Sequence, residues 1–202
     1  ASTLLANEID QIRDLNILYI LRGNLDQQTH NLKGVEGTEI IGSICIQSGD
    51  VTIDGLKFTS PVKIGGEEEP VCIFINTVVA PATSYDNITI TNCDFTPTNK
   101  YTSDKGSKYK GIVTSSAGSY DKLQITNNTF GNLETAIHIN PSNGSEGIKG
   151  VSNLSISGNV ANDTNGTFAK LESVQTATIT NNEISAPIYV RPDWNATTPT
   201  PS

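Results

Sequence analysis

Five eight-residue segments with one shared pattern of apolar and polar positions constrain the fold more than any other feature of the chain. Each reads apolar, polar, Ile, polar, Gly or Asn, and then three residues of which the last is apolar. They align without gaps and are Val51-Thr-Ile-Asp-Gly-Leu-Lys-Phe58, Ile88-Thr-Ile-Thr-Asn-Cys-Asp-Phe95, Leu123-Gln-Ile-Thr-Asn-Asn-Thr-Phe130, Leu154-Ser-Ile-Ser-Gly-Asn-Val-Ala161 and Ala177-Thr-Ile-Thr-Asn-Asn-Glu-Ile184. Such a repeat indicates stacked units, because one unit alone cannot bury its apolar face.

The alternation at the start of each segment predicts a short strand whose first and third residues face inward. The fifth position is Gly or Asn in every segment. These residue types tolerate a positive φ best, so a sharp bend is predicted after each strand. If the units stack, the amides of Asn92, Asn127 and Asn181 are expected to form part of a hydrogen-bonded ladder.

A second apolar stretch follows each segment, so each coil contains at least two strands. These stretches are Val71-Cys-Ile-Phe-Ile75, Gly111-Ile-Val-Thr114, Ala136-Ile-His-Ile139, Phe168-Ala-Lys-Leu171 and Ile188-Tyr-Val190. The third-position isoleucines, Ile53 to Ile179, are separated by 37, 35, 31 and 23 residues. Constant strands with variable spacing indicate loops of variable length on a constant coil. The longest loops are predicted at 96–110 and 140–151.

We interpret the chain as three parts. Residues 1–35 are predicted to hold a capping helix and a first strand, since Leu4, Leu5, Ile9 and Ile12 are spaced as on a helix between Ser2 and Leu15. Residues 36–190 form the coils, and residues 191–202 form a tail rich in Pro and Thr. The predicted fold class is all-β: a right-handed parallel β-helix, or solenoid, of one chain with an N-terminal capping helix.

The strand-Asn-Asn-x-apolar unit, seen in Ile125-Thr-Asn-Asn-Thr-Phe130 and Ile179-Thr-Asn-Asn-Glu-Ile184, resembles the repeat of the pectate-lyase-like superfamily. The resemblance covers roughly residues 36–190, and the helix before them is similar to the N-terminal cap of that superfamily. It implies the fold and leaves the function open, because lyases, hydrolases, epimerases, tailspikes and adhesins share this fold.

Charge and composition limit the classes of molecule that this chain is expected to bind. The formal net charge of −8 disfavours nucleic acid and anionic membranes. No apolar run approaches the roughly 20 residues of a membrane-spanning helix, so no membrane span is predicted. The chain has no Met, even at position 1, which is compatible with export. We therefore expect an extracellular or cell-surface protein, in which Cys45, Cys72 and Cys93 act as small buried apolar residues or include one disulfide.

The residues give little support for catalysis. Resemblance to pectate lyases would imply calcium-binding acids beside an Arg or Lys base. Resemblance to polygalacturonase-type hydrolases would imply Gly-His-Gly and Arg-Ile-Lys elements, and this chain contains neither of these two strings. The catalytic candidates are His138, predicted to point outward between Ile137 and Ile139, and the acids Asp94 and Glu183. We interpret Glu67-Glu-Glu69 as a solvated loop rather than a cation site. We predict no cofactor and no metal, and leave Ca²⁺ as an open alternative that no residue pattern supports.

Binding of a polysaccharide or a partner surface is the favoured function. Thr52, Thr89 and Thr178 share one outward position with Gln124 and Ser155, which predicts a flat polar stripe along the coil axis. Exposed aromatic rings beside such a stripe suit sugar rings, and the candidates are Tyr101, Tyr109, Tyr120 and Trp194. The alternatives are a polysaccharide lyase or glycoside hydrolase, and an assembly subunit that self-associates through its coil ends or tail.

Overall fold

The computed structural model describes residues 13–14, 18–22, 30–33, 39–47, 49–63, 67–75, 84–99, 108–115, 119–140, 150–162 and 165–191. Within them the chain forms strands and no helix. The first ten strands are β1 (Arg13–Asp14), β2 (Leu18–Arg22), β3 (His30–Lys33), β4 (Glu39–Ile41), β5 (Ser43–Gln47), β6 (Val51–Asp54), β7 (Lys57–Ser60), β8 (Val71–Ile75), β9 (Ser84–Thr91) and β10 (Asp94–Phe95). The others are β11 (Lys110–Thr114), β12 (Ser119–Thr126), β13 (Thr129–Phe130), β14 (Thr135–Ile139), β15 (Val151–Ser152), β16 (Leu154–Ser157), β17 (Val160–Ala161), β18 (Thr167–Glu172), β19 (Ala177–Thr180), β20 (Glu183–Ile184) and β21 (Ile188–Arg191).

The strands form three sheets that run side by side along one axis. Sheet A has the order β1-β2-β5-β8-β11-β14-β18-β21, sheet B has β19-β16-β12-β9-β6-β3, with β15 also paired to β12, and sheet C has β20-β17-β13-β10-β7-β4. Neighbouring strands are parallel except for β1 and β2. Each coil contributes one strand to each sheet, as β9, β10 and β11 do in turn. The chain is therefore an all-β parallel solenoid, as the repeat predicted.

The predicted interior column of isoleucines is confirmed. Ile53, Ile90, Ile125, Ile156 and Ile179 are paired in register across sheet B. The first four are fully buried, and Ile179 packs against the same core. Complete burial of one such side chain stabilises the fold by about 1.5–3 kcal/mol.

A stack of phenylalanines fills the side of the core that faces sheet C. The rings of Phe58, Phe95 and Phe130 stack with centroids 5.0 Å apart, and Phe168 meets Phe130 edge-on at 6.1 Å. The first three come from the eighth position of the repeat, Phe168 comes from β18, and all four are buried. Aromatic pairs at such distances contribute about 0.5–1.5 kcal/mol beyond the area they bury.

Each coil has three strands, in agreement with the prediction of at least two, because a further short strand follows the bend. The bend itself is confirmed at the fifth repeat position: Asn92, Asn127 and Asn181 have φ of 52–55°. The predicted ladder, however, lies one residue later. The Oδ1 atoms of Asn128, Asn159 and Asn182 accept hydrogen bonds of 2.9 Å from the backbone N–H at the same position of the preceding coil.

The side-chain amides complete this ladder. The Nδ2 atoms donate to the carbonyls of Ile90, Ile125 and Ile156 at 2.9–3.0 Å. The residue with positive φ turns its side chain outward, which leaves the next residue to point into the bend. This is why the second Asn, and not the first, forms the buried ladder.

The N-terminal helix is not shown. Residues 1–12 lie outside the described residues, and Arg13–Asp14, which the sequence placed in the helix, form β1, antiparallel to β2. The sheets also begin before residue 36, since β2 and β3 pair in parallel with β5 and β6. At the other boundary, Arg191 ends β21.

A second, small apolar cluster lies on the outer side of sheet A. It contains Cys45, Val71, Phe74 and Val113, all buried, with Val62 packed against them. The segment before β8 holds Val62 there: its backbone N–H donates to Ser43 Oγ at 2.8 Å, and its carbonyl accepts from the N–H of Val71 at 3.1 Å. This segment therefore covers the outer face of sheet A in the early coils.

Candidate functional site

The residues in one outward row of sheet A change from apolar to polar or aromatic along the solenoid. From β5 onward, its members are paired in register from strand to strand and are Cys45, Phe74, Val113, His138, Lys170 and Tyr189. The first three belong to the covered apolar cluster. The last three are polar or aromatic and lie beyond that cover. The outer face of β14, β18 and β21 is thus the part of this row that is open to a ligand.

His138 is held by a carboxylate from the next strand. Glu172 lies two residues beyond Lys170, the register partner of His138, and so projects from the same face of sheet A. Its Oε2 atom is 3.1 Å from His138 Nε2. The two side chains are only 17% and 25% exposed, so each restricts the movement of the other.

The surroundings of His138 favour its neutral form. Burial lowers the pKa of His138 from its ordinary value of 6.5, and the charges of Lys110 and Lys170 act in the same direction, outweighing the hydrogen bond and charge of Glu172. At neutral pH the contact is therefore a hydrogen bond rather than an ion pair. Because a carboxylate oxygen accepts, Nε2 is the donor in this contact and the lone pair of the neutral ring lies on Nδ1.

A shallow groove of about 270 Å³ lies against these residues. It is lined by His138, Lys170, Glu172 and Tyr189. The Tyr189 side chain is 55% exposed, so its ring forms an accessible apolar wall beside three hydrogen-bonding groups. The volume is just below the range of about 300–1,000 Å³ that is typical of ligand sites. The groove therefore suits one ring-sized unit of a larger molecule.

A second charged cluster lies on the segment before β8 and on the neighbouring strands. Lys110 Nζ is 2.8 Å from Glu67 Oε2 and 3.7 Å from Glu69 Oε2, and Lys108 Nζ is 3.9 Å from Glu69 Oε1. The interpretation of Glu67-Glu-Glu69 as a wholly solvated loop is therefore wrong for its first and third residues. Alternate side chains project to the same side and converge on one lysine.

The charges in this cluster shift two pKa values. Burial alone would lower the pKa of Lys110, but the hydrogen bond to Glu67 and the charges of Glu67, Glu69 and Glu134 raise it overall. Burial raises the pKa of Glu134, and the contact with Glu69 raises it further. Glu134 thus holds its proton more tightly than an isolated glutamate does.

The two acids named as catalytic candidates lie on another face. Asp94 and Glu183 share an outward row of sheet C, separated by Thr129 and Val160. Glu183 is exposed, and Asp94 Oδ1 is buried with no hydrogen-bond partner among the described residues. The structure therefore does not bring either acid to His138. No group of three or more His, Cys, Asp or Glu side chains converges within the described ranges.

The tyrosines of the sequence interpretation are not gathered at one surface. Tyr120 is 1% exposed, and its Oη donates to the Ile75 carbonyl at 3.3 Å. Its expected place on the surface is therefore wrong, since the ring completes the core. Tyr109 packs partly against the core, and its Oη accepts from Asn99 Nδ2 at 3.2 Å. Tyr101 and Trp194 lie outside the described residues.

The polar stripe on sheet B has the predicted geometry. Thr52, Thr89 and Thr178 are aligned in register with Gln124 and Ser155, and all are partly or fully exposed. This row belongs to a different sheet from the groove. The three cysteines are free and buried. Burial raises the pKa of the Cys72 and Cys93 thiols, so both stay protonated and unreactive at neutral pH.

Sequence reasoning missed Lys170, Glu172 and Tyr189 as site residues. The signal was present: the stretches Ala136-Ile-His-Ile139, Phe168-Ala-Lys-Leu171 and Ile188-Tyr-Val190 align with His, Lys and Tyr at one position. Reading that column as one outward row would have placed the three side chains together. Glu172 would then follow two residues after Lys170, on the same face.

Comparisons with known proteins do not relate this chain to a family. The chain matches no protein-family model, no curated protein and no solved structure. The fold thus rests on the strands and their register alone. Among the residues that the structure describes, no helix has the length and apolar character needed to cross a bilayer.

Proposed function

We propose that this protein binds a polysaccharide chain in the groove on the outer face of sheet A. The observation that carries the proposal is the exposed ring of Tyr189 beside three hydrogen-bonding side chains, His138, Lys170 and Glu172. An aromatic wall packs against the C–H face of a sugar. The Lys170 ammonium donates to hydroxyl or carboxyl oxygens, and Glu172 accepts from hydroxyls.

The proposed location of the protein follows from the sequence interpretation. We place the protein outside the cell or on its surface, as an adhesin-like or carbohydrate-binding solenoid resembling the pectate-lyase-like superfamily. A right-handed coil is part of this proposal, because parallel crossover connections are right-handed in about 98% of cases. The proposal also includes a capping helix within residues 1–12. It further includes contacts of a long glycan with Tyr101 and with the row of Thr52, Thr89 and Thr178.

Glycan-array retention followed by calorimetry on the retained glycan tests the proposal. Tyr189→Ala is expected to weaken binding about tenfold or more, by analogy with the stacking of a nucleobase on an aromatic ring, which contributes on the order of 1–3 kcal/mol. Ile41→Ala is the matched control, because Ile41 is also exposed but lies on sheet C. Equal affinity of the two variants, or no retained glycan at all, would contradict a binding site at this groove.

A second candidate function is cleavage of an acidic polysaccharide by a lyase or hydrolase reaction. The neutral, carboxylate-oriented imidazole of His138 favours it, because such a group can act as a general base. Reducing ends or unsaturated products should then accumulate and should disappear in His138→Ala. Asp94→Asn is the matched control, since Asp94 lies on sheet C. Binding of the polysaccharide without any product would contradict cleavage and agree with the binding proposal.

A further inference from the structure

The sequence contains seven Asn-x-Ser/Thr triplets in which x is not proline. Such a triplet is the acceptor motif for N-linked glycans, which need a surface position because they are bulky and hydrophilic. The asparagines of the triplets are Asn87, Asn127, Asn143, Asn153, Asn162, Asn165 and Asn195. The structure describes every residue of the triplets that begin at 87, 127, 153 and 165. These four can therefore be compared residue by residue.

Three of the four triplets expose the two side chains that define the motif. Asn87, Asn127 and Asn153 are exposed and have φ of 54–58°. The hydroxyl residue two positions later is partly or fully exposed in each triplet, and the middle residue is buried. The middle residues are Ile88, Asn128 and Leu154. The fold therefore anchors each triplet by its middle residue and leaves its acceptor amide at the surface.

Asn127 directly precedes a residue of the buried ladder but takes no part in the ladder. The residue of this bend that points inward is Asn128, whose side-chain amide binds the Cys93 N–H and the Ile90 carbonyl. The Asn127 side chain is exposed instead. A glycan attached to it would extend into solvent without breaking a ladder hydrogen bond.

The amides of the other two exposed triplets can be modified without loss of their contacts. Asn87 Nδ2 donates to Asp50 Oδ1 at 3.0 Å, and Asn153 Nδ2 donates to Asp121 Oδ1 at 2.6 Å. A side-chain amide nitrogen carries two hydrogens. A glycan replaces one of them, so the other still serves the carboxylate.

The triplet at Asn165 is different, because both of its defining side chains are buried. Asn165 is 8% exposed and Thr167 is 9% exposed. Asn165 Nδ2 donates to the carbonyls of Phe130 at 2.9 Å and Asn162 at 3.0 Å, and its Oδ1 accepts from the Leu133 N–H at 3.2 Å. Both amide hydrogens are thus used inside the fold. A glycan at this position is incompatible with the folded structure.

We propose that Asn87, Asn127 and Asn153 are acceptor sites for N-linked glycans and that Asn165 stays unmodified in the folded protein. The donor is an oligosaccharide linked to a lipid diphosphate. A bond forms between Nδ2 and C1 of the first sugar as the bond from C1 to the diphosphate oxygen breaks. The lipid diphosphate leaves with the electron pair, and the proton lost from Nδ2 passes to solvent.

This inference rests on the proposed location outside the cell and not on the proposed binding groove. Asn87 lies in β9, Asn127 follows β12, and Asn153 lies between β15 and β16. All three positions are on or beside sheet B, whereas the groove lies on sheet A. Failure of glycan-array binding would therefore leave the expected modification pattern unchanged.

Peptide mass spectrometry of the chain secreted from eukaryotic cells behind a cleavable signal peptide tests the assignment. Asn87, Asn127 and Asn153 are each expected to carry a glycan, and Asn165 none. An amidase specific for N-linked glycans should convert only the modified asparagines to aspartate. Protein from its natural source should show the same pattern. Circular dichroism of the secreted chain verifies that the strands are formed.

The last bend of the solenoid supplies a matched control. Asn181 is exposed with a φ of 55°, as Asn127 is, but the residue two positions later is Glu183 instead of a hydroxyl residue. Asn181 should therefore be unmodified in the wild type. Because Glu183 is exposed, Glu183→Thr should add one glycan mass, located at Asn181. Thr129→Val should remove the glycan from Asn127 alone.

Three results would overturn the proposal. The first is a secreted, folded chain in which Asn87, Asn127 and Asn153 are unmodified. The second is a glycan on Asn165 in that folded chain, since burial would then not decide which triplet is used. The third is an unmodified Asn181 in Glu183→Thr, because an exposed asparagine at this bend with a hydroxyl two residues later would then not be sufficient.

Discussion

Removing one amide from the buried asparagine ladder should destabilise the solenoid strongly, and Asn128→Ala measures this effect. The side chain of Asn128 accepts from the Cys93 N–H at 2.9 Å and donates to the Ile90 carbonyl at 3.0 Å, and it is almost fully buried. Truncation leaves both backbone groups without these partners. A buried polar group left unsatisfied costs about 1–3 kcal/mol, so we expect a loss of about 2–6 kcal/mol.

The chain offers an adjacent control of the same residue type. Asn127 is exposed and has a φ of 55°, a conformation that glycine adopts without strain. Asn127→Gly should therefore change the free energy of unfolding by about 1 kcal/mol or less in either direction. Guanidinium denaturation followed by far-ultraviolet circular dichroism compares the two variants with the wild type. A midpoint shift for Asn128→Ala no larger than that for Asn127→Gly would refute a stabilising role for the ladder.

Three further predictions concern the core and the charged clusters. Phe95→Ala removes the central ring of the phenylalanine stack and should cost about 3–5 kcal/mol in the same denaturation assay. Glu134→Gln should stabilise the fold at pH 7 by up to about 1 kcal/mol. Because the folded pKa of Glu134 is raised, its stabilising contribution is present at low pH and lost as pH rises through that pKa, so thermal scans should show the gain vanishing near pH 4. The folded pKa of His138 is lowered, so the unfolded chain binds more protons, and the wild type should lose stability relative to His138→Gln as pH falls below 6.5.

The repeat was sufficient to predict the solenoid because neighbouring residues within each repeat specify both the strand and the bend. Alternation around Ile90 and Ile125 gives the direction of each side chain, and Asn or Gly at the next turn gives the bend. The two-residue strands, such as β10, carry too few residues to show a period of two. They become strands only through pairing with the coils on either side, and pairing is a tertiary property.

The candidate site could be predicted only in part, for a related reason. His138 was identified because its apolar neighbours point inward. Lys170 and Tyr189 lie in different coils, and their closeness depends on a strand register that variable loops conceal along the sequence. The burial of Tyr120 was missed because a tyrosine beside a loop has the same local pattern whether its ring faces solvent or fills a gap next to Tyr85.

The segment that carries Val62 limits where along the solenoid the groove can lie. In the outward row of sheet A, the segment that carries Val62 covers Cys45, Phe74 and Val113, and these residues form a small second core. This row is therefore apolar and covered in the early coils and open only from His138 onward. The proposed binding site thus depends on the same variable loops that obscure the repeat period: the segment 61–70 before β8 covers the row in the early coils, and the short segments 131–134, 162–166 and 185–187 before β14, β18 and β21 leave its later part free.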